Sequence, residues 1–401
     1  MTEAQAQPVP RTQPMARTCP FDPPPEYRTL REQDPVAEVT LPDGLTGWLV
    51  TGYEEVREML ADPRFSSRRR QLRTGGAVDG DGSPPPPAPG MFIMMDPPEH
   101  TRFRRLLTGR FTVRRMRQLT PAVEKIVAEQ LDAMAAAEGP VDLVQAFALP
   151  VPSLVICELL GVPYADREEF QRTSATLIRL DASPEEVQQA QQAMNQFIGR
   201  LAVAKRAEPG DDILSDLVRS GELTDAELAG VGGLLLLAGH ETTANMIALG
   251  TLCLLHNPDQ WEALRADASL LDTAVEELLR YLSVIQYGVR RTAVEDVELG
   301  GHRIPAGSTV VASLSSGNRD TEHFGDDPDQ LDVGRTYSPH LAFGHGIHQC
   351  LGQQLARVEM KAAFSALLDR FPTLRLAVPV EDVPMRDDML VYGVHKLPVA
   401  W

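Results

Sequence analysis

The sequence of 401 residues has only four cysteines, and no two of them form a Cys-x-x-Cys pair. A chain of this length buries a large core without disulfides, so a disulfide-stapled fold is not expected. The scarcity of cysteine is typical of a reducing compartment, and we predict a cytoplasmic protein.

Long apolar runs and positive charges are scarce as well. The longest apolar stretch, residues 231–238, is under half of the roughly 20 residues that a membrane-spanning helix needs. Residues 1–27 are polar and rich in proline, so they predict a flexible arm and not a signal peptide. Lysine and arginine number 38 against 56 acidic residues, and the net charge of −18 argues against nucleic acid or an anionic membrane as a partner. We expect a soluble monomer.

The rest of the chain divides by pattern. Two β-type runs around a turn at 42–44 predict a hairpin, and a helix is predicted over 53–60. Glycine and proline supply 10 of the 17 residues from 74 to 90, so this segment is either an interdomain linker or a mobile flap over a site. Helical periodicity dominates from 99 to 280, and short β-type runs at 289–311 precede a last helix over 353–368. Breaks in the helical region are predicted at 120–121, 139–140, 161–163, 183–184 and 209–210.

The stretch Phe343-Gly-His-Gly-Ile-His-Gln-Cys350-Leu-Gly352 places a cysteine after a glycine-bearing loop and directly before an amphipathic helix. Free backbone N–H groups and the positive end of the helix dipole favour a thiolate at that place. The glycines remove side chains that would keep the backbone away from a large flat cofactor. Taken alone, a cysteine at such a place is more often a small buried apolar residue than a ligand.

A long helix is predicted over 225–256, about 45 Å in length and apolar on all faces in its middle. It contains the polar island Ala238-Gly-His-Glu-Thr-Thr243, whose burial requires hydrogen bonds or a function. Thr242 can bond to the carbonyl of Ala238, which, with Gly239 beside it, would open the helix and form a groove for a small molecule. A solvent-facing polar patch on one turn is the alternative.

Two charged clusters complete the set of motifs. Glu277 and Arg280 share one helix face, but such pairs are common and the motif is weak by itself. Basic residues also crowd one helix start, where they form either a solvated face or a site for a dianionic ligand. These basic residues are His100, Arg102, Arg104 and Arg105.

Together and in this order, the four patterns resemble the cytochrome P-450 haem-thiolate monooxygenases, most closely the soluble actinobacterial type. The similarity rests on DPPEHTRFRR, AGHETT and FGHGIHQCLG, and it extends from the first hairpin to the end of the chain. It implies a mainly α fold, a triangular helix-rich body with small β-sheets near the N-terminus and around the substrate pocket. It also implies that 28–401 is a single haem-binding domain and that 74–90 is a mobile flap.

The resemblance implies a haem b cofactor with Cys350 as the axial thiolate of the iron, a ligand that favours O–O cleavage. Glu241 and Thr242 match the acid and alcohol that deliver protons to dioxygen. Gln330 stands where the family often has an arginine, so the proximal clamp is expected to lack its third charge. His100, Arg104, Arg291 and His348 match positions that pair with the haem propionates. The remaining matches are Ala238, Gly239, Phe343 and Gly352 for the cofactor, and Glu277 with Arg280 for the clamp.

The implied reaction is hydroxylation or epoxidation of a medium-to-large apolar small molecule, such as a polyketide, macrolide, terpenoid or steroid-like secondary metabolite. The chain has no flavin or iron–sulfur segment, so electrons from NAD(P)H are expected through a ferredoxin and its ferredoxin reductase. The family's geometry implies substrate contacts at Phe92, Ile93, Met94, Met95, Leu234, Leu235, Val284, Ile285 and Leu390.

Two rival interpretations remain open on the sequence. The first is a zinc protein that uses His340, His345, His348 and Cys350, whose types and spacing are acceptable for zinc. The second is a haem protein that senses ligands or is driven by peroxide, although the Glu241–Thr242 pair argues against it.

Charge is uneven along the chain. Between Arg64 and Arg117 there are twelve arginines and no lysine against four acidic residues. Part of this segment is expected to face the haem propionates. The remainder, Arg110, Arg114, Arg115 and Arg117, predicts a basic patch that steers an acidic ferredoxin, with a merely solvated basic helix as the alternative.

Overall fold

A computed structural model describes residues 11–68 and 86–401, and over these residues the chain is mainly helical. Most of the predicted flap therefore lies outside the described residues. The helices are α1 (Glu26–Gln33), α2 (Tyr53–Ala61), α3 (Glu99–Thr108), α4 (Val113–Ala135), α5 (Pro150–Leu160), α6 (Arg167–Ile178), α7 (Pro184–Ala207), α8 (Ile213–Ser220), α9 (Asp225–His256), α10 (Pro258–Ala266), α11 (Leu271–Leu282), α12 (Leu314–Gly317), α13 (Thr321–Phe324) and α14 (Gln353–Arg370).

The strands form three small sheets. The largest has six strands in the order β1-β2-β3-β9-β6-β4, a second has the order β10-β11-β5, and β7 pairs with β8. The strands are β1 (Arg11–Thr12), β2 (Val36–Thr40), β3 (Thr46–Val50), β4 (Phe65–Ser66), β5 (Val141–Asp142), β6 (Val289–Ala293), β7 (Val297–Leu299), β8 (His302–Ile304), β9 (Thr309–Ala312), β10 (Arg375–Leu376) and β11 (Pro398–Ala400).

The predicted hairpin is strands β2 and β3. They pair antiparallel with Val36 opposite Val50 and Thr40 opposite Thr46, and Gly44 takes the positive φ that the turn requires. Strand β9 then adds to β3 in parallel, which joins residues from both halves of the sequence in one sheet.

Helix α9 is the centre of the helical body, as its apolar sequence predicts. Thr224 caps it through a reciprocal capping box with Glu227, and helices α5, α7, α11 and α14 pack around it. Its middle is buried nearly all round, and Leu236, Ile247 and Leu249 are fully inaccessible to solvent. Burial of each such side chain contributes about 1.5–3 kcal/mol to the free energy of folding. Gly230 on this helix leaves no room for a Cβ atom, because the carbonyl of Pro89 lies against it. The described end of the predicted flap is therefore packed on α9.

Two expectations about the chain's organisation need correction. Helix α4 does not break at 120–121 but runs through Pro121. Proline has no N–H group to donate to the carbonyl of Arg117, and the helix tolerates this loss because Arg117 is exposed to solvent. Residues 11–27 of the predicted flexible arm are packed: Arg11–Thr12 pairs with β2, and the buried Phe21 accepts a hydrogen bond from Arg319 at its carbonyl, 3.0 Å away. Apolar and backbone contacts thus outweigh the local proline content.

Among residues 11–68 and 86–401, no helix is long and apolar enough to cross a membrane.

Candidate active site

The loop that carries Cys350 connects α13 to α14, and backbone hydrogen bonds within the loop fix its shape. The amide of Cys350 donates to the carbonyl of Phe343 over 2.8 Å, and that of Gly344 donates to Leu341 over 2.7 Å. Gly344 and Gly346 both have positive φ, and a Cβ atom at Gly346 would clash with the carbonyl of Leu60. The glycines of the motif are therefore explained by the turn and by the close approach of α2.

Cys350 lies at the N-terminal end of α14, where Gly352 is the capping residue. Its side chain has accessible surface although it lies deep inside the molecule. This burial raises the pKa of the thiol, while backbone N–H groups of Gly352 and Gln353 and the guanidinium of Arg104 act to lower it. The helix start thus supplies partial positive charge to a sulfur that remains reachable for a ligand.

Two of the predicted propionate partners, His100 and Arg104, lie in the same region. His100 is buried, and within the described residues neither of its ring nitrogens has a hydrogen-bond partner. Burial and the nearby charges of Arg104 and Arg291 lower the pKa of its imidazole. Arg104 is half-buried, its charge is felt at Cys350, and within the described residues its guanidinium has no carboxylate or carbonyl acceptor. A buried imidazole and guanidinium without acceptors fit a dianionic cofactor, because polar groups are rarely buried unpaired.

The other two predicted propionate partners, His348 and Arg291, form hydrogen bonds within the protein. His348 lies against His100, with ring centres 4.0 Å apart, and its Nε2 forms a 2.7 Å hydrogen bond with the hydroxyl of Ser67. Arg291 is buried on β6 and donates to the carbonyl of Arg290 over 2.9 Å. The ring of Phe343 lies beside the cysteine loop, under the guanidinium of Arg357.

The polar island of α9 presents one accessible face in an otherwise buried helix. Leu234, Ala238 and Thr242 are spaced by four residues and retain accessible surface, whereas Leu235 is buried. Thr242 Oγ1 donates to the carbonyl of Ala238 over 2.9 Å, as predicted, and the helix continues without a break. Gly239 has a packing reason, because a Cβ atom there would lie 2.7 Å from Cδ1 of Ile156 on α5. The accessible face is therefore formed by Ala238 and Thr242 rather than by an opened helix.

Glu241 faces away from Thr242. It is buried and accepts a 3.2 Å hydrogen bond from Nη2 of Arg386, whose Nη1 donates to Asn245 over 3.3 Å. Burial acts to raise the pKa of Glu241, but the contacts with His240 and Arg386 outweigh it, so the pKa lies below its usual value. Sequence reasoning missed Arg386, since it lies 145 positions from Glu241 and belongs to no motif.

The predicted substrate contacts fall into two groups. Phe92, Met95, Leu235 and Val284 are buried in the main core, and Phe92 stacks on Phe103 with ring centres 6.2 Å apart. Packing therefore explains these four residues without a ligand. The partly accessible ones are Ile93, Met94, Leu234, Ile285 and Leu390, and Ile285 and Leu390 are brought together because Ile285 bridges Val391.

The clamp contains three charged side chains. Arg280 donates to both carboxylate oxygens of Glu277, at 2.7 and 2.8 Å, and Nε of Arg335 donates to the same carboxylate at 3.1 Å. The expectation of an incomplete clamp is therefore wrong: Gln330 contributes only its carbonyl, and Arg335, five residues further along the loop, brings the third charge.

The zinc interpretation is not supported by the described part of the chain, which contains no group of three or more potential ligands. His340 bonds to Glu276 at 3.1 Å, and His348 bonds to Ser67. Burial acts to raise the pKa of Glu276, but hydrogen bonds from His340 and Arg357 outweigh it and lower the pKa to about 2. His340 and His348 are thus committed to separate protein partners.

The predicted basic patch on α4 is smaller than the sequence indicates. Arg110 forms ion pairs with Asp211 and Asp216, and Arg115 with Asp211, all from the stretch between α7 and the end of α8. Arg114 and Arg117 are exposed and form no ion pair within the described residues. Two of the four arginines therefore keep an uncompensated charge.

Comparison with known proteins agrees with this geometry. The cytochrome P450 family model matches residues 178–399. Cytochrome P450-SU2 of Streptomyces griseolus is 49% identical, and the alignment covers 100% of this chain and 99% of the relative. Vitamin D3 dihydroxylase of the same species is 46% identical, with 97% and 96% covered. The crystal structure of CYP105P1 in complex with filipin I has a TM-score of 0.93 and 46% identity, and covers 98% of this chain and 99% of that one. The chain belongs to the cytochrome P450 family of haem-thiolate monooxygenases.

Proposed function

We propose that Cys350 is the axial ligand of a haem b and that the enzyme inserts one atom of dioxygen into an apolar small molecule. The observation that carries this proposal is the reachable sulfur at the start of α14 beside a buried histidine and a half-buried arginine that find no acceptor among residues 11–68 and 86–401. When bound, the haem supplies dioxygen activation, which its thiolate ligand assists. His100 and Arg104 would hold its propionates, and Arg291 adds a buried positive charge to the same region.

Thr242 is proposed to position a proton-carrying water molecule on the accessible face of α9. Its hydroxyl proton is engaged by the carbonyl of Ala238, so its oxygen lone pairs face outward as hydrogen-bond acceptors. A water molecule bound there is fixed in position next to the reacting centre. The apolar side chains along the same face exclude bulk water and orient the substrate.

The substrate is proposed to be a medium-to-large apolar secondary metabolite that undergoes hydroxylation or epoxidation. Four of the predicted substrate contacts that are partly accessible, Leu234, Ile285, Leu390 and Met94, are apolar, and methionine adapts to irregular ligands. Two relatives point to molecules of this size, since one is named for vitamin D3 and another was crystallised with filipin I.

Electrons are proposed to come from NAD(P)H through a ferredoxin reductase and a ferredoxin that docks near α4. Arg114 and Arg117 are exposed on this helix, which packs against α14, the helix that starts beside Cys350. Exposed positive charge next to the haem end of the molecule favours an acidic carrier.

The purified protein, supplied with a ferredoxin, its reductase and NADPH, tests the proposal against a panel of macrolides, terpenoids and steroids. We expect a substrate-induced shift of the haem absorption band, product that carries one atom of labelled dioxygen, and a rate that falls as ionic strength rises. Turnover driven by added peroxide with no dioxygen-dependent product would instead establish the peroxide-driven alternative.

Thr242→Ala is expected to lower the product formed per NADPH by about tenfold or more, because proton delivery by a positioned group contributes on the order of 10²–10⁴-fold. The missing electrons should appear as hydrogen peroxide. Thr251→Ala is the matched control, since Thr251 forms the same type of bond to Ile247 but is fully buried two turns further along α9. Equal product yields for the two variants would remove Thr242 from proton delivery.

Arg104→Glu is expected to speed haem loss by roughly 10- to 100-fold, because the variant loses a charge-assisted hydrogen bond whose free energy corresponds to a change of this size. Transfer of haem to an acceptor protein measures this rate. The control is Arg105→Glu, which makes the same charge change on the next residue, where the exposed Arg105 pairs only with Glu222. If both variants retain haem equally, Arg104 does not bind a propionate.

A further inference from the structure

The C-terminal hairpin, residues 385–394, touches several walls of the proposed substrate pocket. It is closed by the bridge between Met385 and Val394, and its tip binds the end of α6 through a 3.0 Å bond from the amide of Leu390 to the carbonyl of Ile178. The amide of Tyr392 donates to Val284 over 2.8 Å in the segment after α11. The proposed substrate contact Leu390 therefore lies on an element whose position depends on the pocket walls.

The same hairpin reaches α9 through a buried polar network. Arg386 donates to the carboxylate of Glu241 and to the side-chain oxygen of Asn245, and Asn245 donates to the carbonyl of Glu241 over 2.8 Å. At Gly393 the hairpin backbone lies against Asn245 so closely that a Cβ atom would clash. The side chain of Glu241 is 6% exposed and that of Arg386 is 11% exposed, so water screens this ion pair little.

His240 completes the surroundings of Glu241 from α9 itself. Its Nδ1 lies 2.7 Å from the carbonyl of Leu236, which can only accept, so Nδ1 carries a proton. Within the described residues its Nε2 has no hydrogen bond, and it lies 3.5 Å from Oε1 of Glu241. Glu241 thus lies between the guanidinium of Arg386 on one side and the imidazole of His240 on the other.

We propose that Arg386 is a positioning residue for Glu241, which holds the carboxylate away from Thr242 and ties its release to the hairpin that carries Leu390. Proton delivery then requires Glu241 to leave Arg386, and a substrate that shifts the hairpin promotes this exchange. The inference rests on the proposed role of Thr242 and on the proton-delivery role that the family resemblance implies for Glu241. The charged or titratable groups that face Glu241 are Arg386 from the hairpin and His240 from α9.

Four forms of the haem-loaded enzyme test the inference: Arg386→Met, Arg386→Lys, Glu241→Gln and the control Asp388→Asn. Asp388 lies on the same hairpin, but its side chain pairs with His395 and not with Glu241. Difference infrared spectra against pH follow the carboxyl band of Glu241, assigned by its loss in Glu241→Gln. We expect the midpoint of this titration to rise in Arg386→Met, because a cation that favours the carboxylate is removed, and to return towards the wild-type value in Arg386→Lys.

Turnover adds a second readout. In Arg386→Met proton delivery is no longer tied to the hairpin, so electrons are lost without product, and we expect the product formed per NADPH to fall about tenfold with peroxide-driven turnover unchanged. Asp388→Asn should behave like the wild type.

An unchanged infrared midpoint in Arg386→Met would overturn the proposal, and so would a parallel loss of peroxide-driven turnover, which indicates a structural role. If Arg386→Met does not fold, Arg386→Lys with a wild-type midpoint and a wild-type product yield supports the proposal. A folded Arg386→Lys with a raised midpoint and a product yield as low as that of Glu241→Gln contradicts it. Absence of dioxygen-dependent turnover in the wild type would refute the proposed function, while the infrared titration would still decide whether Arg386 holds Glu241.

Discussion

Cys350→Ala is expected to lose the red-shifted absorbance band that a thiolate-ligated haem shows when it is reduced and exposed to carbon monoxide. Alanine provides no donor atom, so the iron would lose its proposed protein ligand. Dioxygen-dependent turnover should fall by about 10³-fold or more, because removal of one member of a concerted catalytic unit abolishes most of the rate. Haem content, the reduced carbon monoxide spectrum and product formation measure the three effects.

The matched control for this variant is Cys157→Ala. Cys157 is buried on α5, and burial raises the pKa of its thiol to about 12, so it is neither reachable nor ionised. We expect this variant to retain the spectrum and the activity. A Cys350→Ala protein with an unchanged carbon monoxide band would mean that another residue binds the iron.

The parts of the site that the sequence predicted correctly are local in the chain. The helix start after Cys350, the bond from Thr242 to Ala238 and the ion pair of Glu277 with Arg280 each involve residues at most four positions apart. Helical periodicity fixes such distances, so a motif is enough to place the atoms. The hairpin of β2 and β3 was also predictable, because its two strands are neighbours in the chain and are joined by a short turn.

The parts that the sequence could not predict depend on tertiary contacts. Arg386 reaches Glu241 only because the C-terminal hairpin packs on α9, and Arg335 reaches Glu277 because the loop before the cysteine motif folds back on α11. Phe92 and Met95 are apolar residues after a loop, and only packing decides whether such side chains face a pocket or the core. Charge patterns mislead in the same way, since Arg110 is paired by acidic residues about a hundred positions later.

Glu277→Gln is expected to destabilise the folded protein by about 3–5 kcal/mol, the cost of leaving a buried charge without its partner. The side chains of Glu277 and Arg280 are 2% and 3% exposed, so water cannot replace the lost carboxylate. Glutamine keeps the size of the side chain, but its amide has one accepting oxygen and one donating NH2 group, so it cannot accept both hydrogen bonds from Arg280. The midpoint of chemical unfolding, with its denaturant dependence, measures the loss.

Three further variants distinguish the clamp from an ordinary ion pair. Glu262→Gln removes a helical pair of the same spacing with Arg265 that is largely exposed, and should cost about 0.5 kcal/mol or less. Gln330→Ala should be equally mild, because Gln330 contributes only its backbone carbonyl to the two arginines. Arg335→Met should cost about 1–3 kcal/mol, since Glu277 then keeps Arg280 but loses one charged donor. This order of effects is expected if Arg335 supplies the third charge of the clamp. A large loss of stability in Gln330→Ala together with a small loss in Arg335→Met would instead assign the third contact to position 330.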